Sequence, residues 1–183
     1  MKIKVLFFLV TSVFALSTNS ATLVTNGGQL LGAADVDVGG TLYDVSFLDG
    51  SCDSLYGGCS SFTFNTQADA ALASQALLDQ VFIGAFDSNP SLTNGINSPL
   101  EGEVRTPWVT NLGVVTLMLA RNGDDSDFLD FVFDDAVAVS EDTGNSAIAV
   151  YAVWAPSPVP LPAAAWLFGS ALLGLAAVKR KKT

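Results

Sequence analysis

Val114-Val115-Thr116-Leu117-Met118-Leu119-Ala120 and, further along, Ala147-Ile148-Ala149-Val150-Tyr151-Ala152-Val153-Trp154 decide the fold of this chain. A strand with one wet face alternates apolar and polar residues with a period of two. These two runs do not alternate: they are apolar on both faces, as central strands covered from each side must be. Working outward, Trp108–Ala120, Phe128–Phe133 and Ala136–Val139 also read as strands. Toward the N-terminus, Asp35–Val38 and Thr41–Leu48 flank Gly39-Gly40, a hairpin turn. Within Thr41–Leu48, Tyr43, Val45 and Phe47 share one face, and Leu42, Asp44, Ser46 and Leu48 the other.

One convincing helix begins at Thr66 and ends by Gly84. Thr66 and Asp69 form a variant of the capping box, and Asp69 complements the positive helix N-terminus. Ala70, Ala73, Leu77 and Val81, with Leu78 and Phe82, recur at three- and four-residue spacing. This helix covers one face of the two apolar strands and leaves the other to be covered by something else. Asp87–Pro107 is rich in Gly, Pro, Asn and Ser and reads as loop. The expectation is an α+β domain, mainly antiparallel sheet with one packed amphipathic helix, with a β-sandwich as the runner-up. No internal repeat is visible.

The chain has 183 residues, 8 Lys and Arg, 18 Asp and Glu, and no His. Between Thr22 and Pro158 only Arg105 and Arg121 are basic against all eighteen acids, a net charge of −16. Such a body repels polyphosphate and is no nucleic-acid binder. The absence of histidine removes Ser-His and Cys-His nucleophile pairs and every His-ligated zinc site.

The other six cations sit at the two ends. Lys2 and Lys4 precede the apolar run Val5–Leu16, whose 12 residues make a helix of about 18 Å, too short to cross a bilayer. Small residues follow in Ser17-Thr18-Asn19-Ser20-Ala21, so residues 1–21 read as a secretory signal peptide. Cleavage after Ala21, Ser20 or Ser17 is open. The C-terminal run Val159–Val178 is 20 uncharged residues, about 30 Å as a helix, enough to span the membrane. Lys179, Arg180, Lys181 and Lys182 follow directly and hold that end in the cytoplasm, which leaves the acidic body outside. The organisation expected is thus signal peptide 1–21, exported domain 22–154, proline-rich spacer 155–162, transmembrane helix 163–178 and basic tail 179–183.

Val159-Pro160-Leu161-Pro162, the apolar stretch Ala163–Val178 and the cluster Lys179–Lys182 stand in a specific order. Together they resemble the PEP-CTERM sorting signal of Gram-negative bacteria, in a Pro-Leu-Pro variant with Leu161 where the namesake motif has Glu. The resemblance implies recognition by an exosortase, a membrane cysteine protease-transpeptidase. The tail would then be removed near Pro160–Pro162 and the body passed to the cell surface or extracellular polymer. The proline pair, short of helical hydrogen bonds, suits protease access. A sortase signal would need Leu-Pro-x-Thr-Gly, where this chain reads Leu161-Pro162-Ala163-Ala164-Ala165, and a glycolipid-anchor signal would not end in four cations.

Cys52 and Cys59, with six residues between them, most simply form a disulfide in an oxidising compartment; a redox or metal pair is the alternative, without the C-x-x-C spacing. Asp124, Asp125 and Asp127, with Asp130, Asp134 and Asp135, offer oxygen ligands for Ca²⁺, but the EF-hand pattern is missing. The alternation of part of this cluster with Phe128, Leu129, Phe131 and Phe133 favours acidic strand edges that discourage edge-to-edge pairing. Glu101 and Glu103 have the residue type of glycosidase carboxylates but sit in the turn-rich stretch, where they read as surface charge. Trp108 and Trp154 are either core or sugar-stacking aromatics. The sequence calls for no cofactor. The function expected is a non-catalytic exported protein whose partners are the membrane, an exosortase and a surface polysaccharide. The alternative is a permanently tethered single-pass protein with an external ligand-binding domain.

Overall fold

The computed structural model describes residues 20–158 with the exception of 125 and 127. Among these residues no helix is long and apolar enough to cross a membrane. Residues 1–19 of the expected signal peptide, the expected span 163–178 and the basic tail 179–183 fall outside the described residues, whereas Ser20 and Ala21 lie within them, Ala21 packed against the core.

Seven strands form one mixed sheet among the described residues: β1 (Thr22–Asn26), β2 (Gln29–Val38), β3 (Thr41–Leu48), β4 (Glu101–Asn111), β5 (Val114–Gly123), β6 (Phe131–Ala138) and β7 (Ala149–Pro156). Their spatial order is β1-β2-β3-β7-β4-β5-β6. Every neighbouring pair is antiparallel except β4 and β7, which run parallel and pair only over Glu103–Arg105 and Ala149–Tyr151. The sheet is therefore two antiparallel halves joined at a short parallel seam. Of the two sequence runs that are apolar on both faces, one is β7, at that seam, and the other is β5, one strand away on the far side of β4.

One face of the sheet is covered by helix α2 (Gln67–Gln80), where Ala70, Ala73 and Leu77 are fully buried. They meet Val104, Met118, Ala120, Val150, Ala152 and Trp154 from the central strands. Thr66 caps this helix: its hydroxyl oxygen accepts from the Asp69 amide at 3.1 Å. The second cover is the segment starting with the single-turn helix α1 (Cys52–Leu55). Cys52, Tyr56 and Cys59 lie on Val115, Leu117, Leu119 and Tyr151. Alternate residues of β5 thus serve different cores, Met118 and Ala120 under α2, Leu117 and Leu119 under α1.

Several boundaries differ from the sequence reading. Strand β4 begins at Glu101, within the stretch expected to be loop. Gly102 is there for close packing, since a Cβ on it would run into the Ile96 side chain, and Pro107 is accommodated at a bulge between Pro107 and Val109. The run Trp108–Ala120 is broken by a two-residue turn at Leu112-Gly113, with φ of 50° and 79°. Leucine at the first of these left-handed positions hides the turn from the sequence. Phe128–Phe133 and Ala136–Val139 merge into β6 through Asp134-Asp135, and β7 continues past Trp154 to Pro156.

Candidate functional site

Val159–Pro162, expected from the sequence to be a sorting motif, and the cluster Lys179–Lys182 lie outside the described residues, so the site visible in the structure is the approach to them. Strand β7 delivers the chain to that point. Its register with β3 pairs Tyr43 with Pro156, after which the Ser157 amide donates to the Leu42 carbonyl at 3.0 Å. The Ser157 hydroxyl donates to Asp44 Oδ1 at 2.5 Å. The ordered sheet therefore holds the chain to within two residues of Val159. Ser20, at the other end of the described chain, lines a shallow depression with Asp37, Gly39, Gly40 and Gln80. Both chain ends thus leave at the pole of the sheet that carries the Gly39-Gly40 hairpin. Because β4 runs parallel to β7, the Leu112-Gly113 turn is at this pole too.

The Cys52–Cys59 pair forms the expected disulfide, both residues being buried. The closed segment lies across the place where β4 and β7 part beyond Arg105 and Tyr151. The Tyr56 hydroxyl donates to the Ala152 carbonyl at 2.8 Å, and the Thr63 hydroxyl to the Trp154 carbonyl at 2.6 Å. On the β4 side, the Thr110 hydroxyl donates to the Cys59 carbonyl at 2.7 Å. Burial pushes the Tyr56 phenol well above its ordinary 10.0, with Tyr151 adding to the shift.

Arg105 and Arg121 share the outer sheet face with Glu101 and Glu103. The register sets Glu103 opposite Arg121 and Arg105 opposite Leu119, and directly opposed residues point to the same side. Arg105 is 6% exposed, pairs with Glu141 at 2.7 Å and lies over the Tyr151 ring at 5.7 Å. Arg121 pairs with Glu101 and has Phe128 and Phe131 on its guanidinium at 5.0 and 5.4 Å. Burial raises the Glu103 carboxyl above its ordinary 4.5; Arg105 opposes the shift and Asp135 adds to it. Tyr151 is raised chiefly by burial as well. Glu101 is thus a salt-bridge partner and Glu103 a half-buried strand residue, and neither stands in a turn.

The acidic run divides. Asp134 and Asp135 lie on β6, an edge strand, and Asp135 Oδ1 accepts from the Ala136 amide at 2.8 Å. Asp124 Oδ1 accepts from the Ser126 and Phe128 amides, and Asp130 Oδ1 from the Gly123 amide. These carboxylates shape the β5–β6 connection. Asp125 and Asp127, the other weak Ca²⁺ candidates, lie outside the described residues. Among the described residues no three acidic or Cys side chains gather to hold a metal ion. Trp154 is core, donating its indole N–H to Thr106 Oγ1 at 3.2 Å. Trp108 is half-buried and lines a groove with Cys59, Ser60, Phe62, Asn65 and Thr110.

Sequence reading missed Tyr56, Thr63 and the Arg105–Tyr151 pair. The only signal available for them was the unanswered question of what covers the second face of the apolar strands. No family model, curated protein or solved structure matches the chain.

Proposed function

We propose that this chain is an exported, non-catalytic surface or extracellular-matrix protein whose last residues are a PEP-CTERM-type sorting signal, read and removed by an exosortase. The order of proline motif, uncharged 20-residue run and basic cluster supports the reading. The single observation that carries it structurally is the tether at Ser157. The sheet grips the chain up to that residue, and the proline motif begins two residues later. The last described backbone hydrogen bond of the sheet is thus made before the proline motif begins in the sequence. The buried Cys52–Cys59 disulfide fits an oxidising destination.

The reading is tested by fractionation of a chain tagged within the body, in hosts with and without an exosortase. The tagged body leaves the inner membrane only where the exosortase is present, and a Pro160→Ala, Pro162→Ala chain remains behind. Release without the enzyme would overturn the proposal.

A permanently tethered protein that binds carbohydrate is the second reading. The observation that favours it is the groove walled by Phe62 and Trp108, with Ser60, Asn65 and Thr110 as polar neighbours. Retention of full-length tail on every mature copy would favour this reading over the first.

A further inference from the structure

We infer that the β4–β5 hairpin tip is a lipid-contacting foot that rests in the membrane interface while the chain is tethered. Leu112 stands 96% exposed at the tip, with Val114 at 42% and Val109 at 37% beside it. Val109 pairs with Thr116 and Asn111 with Val114, so both valines lie on the same side of the hairpin. Ala138, opposite Val114 on β6, is exposed and extends the apolar strip across the next strand. Leu112 occupies a φ of 50°, a left-handed position where Gly or Asn is at home and leucine costs backbone energy. A bulky apolar side chain there, turned wholly to solvent, serves nothing in the fold.

The occupant follows from where the chain leaves. Strand β7 ends at Pro156 at the same pole as the hairpin tip, because β4 and β7 are parallel. Two residues past Ser157 the sequence enters the uncharged run Val159–Val178. A body suspended on that run presents the tip toward the bilayer. Three aliphatic side chains bind a lipid surface weakly on their own, and a net charge of −16 over the body opposes approach to anionic lipid. Tethering supplies the missing affinity through effective concentration. The contact is therefore made while the tail is in place and lost once it is removed.

This inference rests on the membrane-inserted tail of the proposed function, and Trp166 within that run separates the two. The full chain is reconstituted in phosphatidylcholine vesicles carrying bromines either at the bilayer centre or near the headgroups. Centre bromines quench the unsubstituted chain through Trp166 if the tail inserts; no quenching would overturn the tail reading itself. In Leu112→Trp the added emission falls about twofold with the shallow bromines. Quenching of the tail with none of the added emission would overturn the foot. In a second measurement, amide exchange at Leu112 and Gly113 is followed in the same vesicles. Leu112→Asn suits the left-handed backbone and keeps the fold, yet speeds exchange about tenfold relative to the unsubstituted chain. Equal exchange in the two chains would also count against contact.

Discussion

The Tyr56 hydroxyl donates to the carbonyl oxygen of Ala152 across 96 residues of sequence, at 2.8 Å. The β3–β7 ladder bonds Leu42 to Ser157, so by alternation Ala152 and Trp154 turn their carbonyls away from β3, toward β4. But β4 has already diverged beyond Arg105, and the disulfide-closed segment supplies hydroxyls in its place. The outer cover of the sheet is thus also the hydrogen-bonding partner of its seam.

Tyr56→Phe should leave the Ala152 carbonyl buried and unpaired and cost about 1–2 kcal/mol of stability. The phenol also carries a pH signature. Its pKa is raised in the fold, so above the ordinary value of 10.0 the unfolded chain loses its proton first and stability falls as pH rises. Melting curves between neutral and strongly alkaline pH should show a shallower alkaline loss in Tyr56→Phe. An unchanged slope would remove Tyr56 from the account.

Cys52→Ser opens a loop of eight residues, counting both cysteines, worth about 2–2.5 kcal/mol of chain entropy. Because the segment covers Leu117, Leu119 and Tyr151, the loosened protein should also bind a hydrophobic dye that the oxidised one excludes. Thermal denaturation in oxidising and reducing buffer, read with dye fluorescence, checks both effects. Equal melting of variant and parent in oxidising buffer would be the contrary result.

The α2 stripe, the Gly39-Gly40 hairpin and the two-sided apolar strands were legible because each depends on local periodicity or backbone handedness. The second cover was not. Nothing in Cys52–Phe64 repeats with a helical or strand period, and its role depends on Thr110, Ala152 and Trp154, which lie far away in sequence. Glu101–Pro107 was likewise hidden, because Gly102 and Pro107 signal turns by type while serving close packing and a bulge. At the site, the proline motif and basic tail were plain in sequence. The Ser157 tether required the register of β7 against β3, and the place of the Leu112 tip required the parallel pairing of β4 with β7.

Glu141→Gln should destabilise the domain by about 1–2 kcal/mol, although Glu141 itself is partly exposed. The loss comes from Arg105, which is buried on Tyr151 and would keep its charge without its counter-ion. Chemical denaturation of the single variant and of Glu141→Gln with Arg105→Met tests this. Restoration of stability in the double variant is expected, and a further additive loss would contradict it.

Glu103→Gln should act in the opposite direction at neutral pH. The folded carboxyl has a pKa above its ordinary 4.5, so folding takes up protons as pH falls toward that range, and stability declines as pH rises through it. The amide removes that decline. A melting-temperature gain at pH 7 that disappears below about pH 4 is the expected profile. A gain independent of pH would point to packing instead.

Under the proposed function, the chain is cut at the proline motif Val159–Pro162. Intact-mass measurement of the mature body from an exosortase-bearing host tests it most directly. The mass should correspond to a chain ending near Pro160–Pro162, with any transferred group added there. A mass that includes Ala163–Thr183 on all copies would contradict the account.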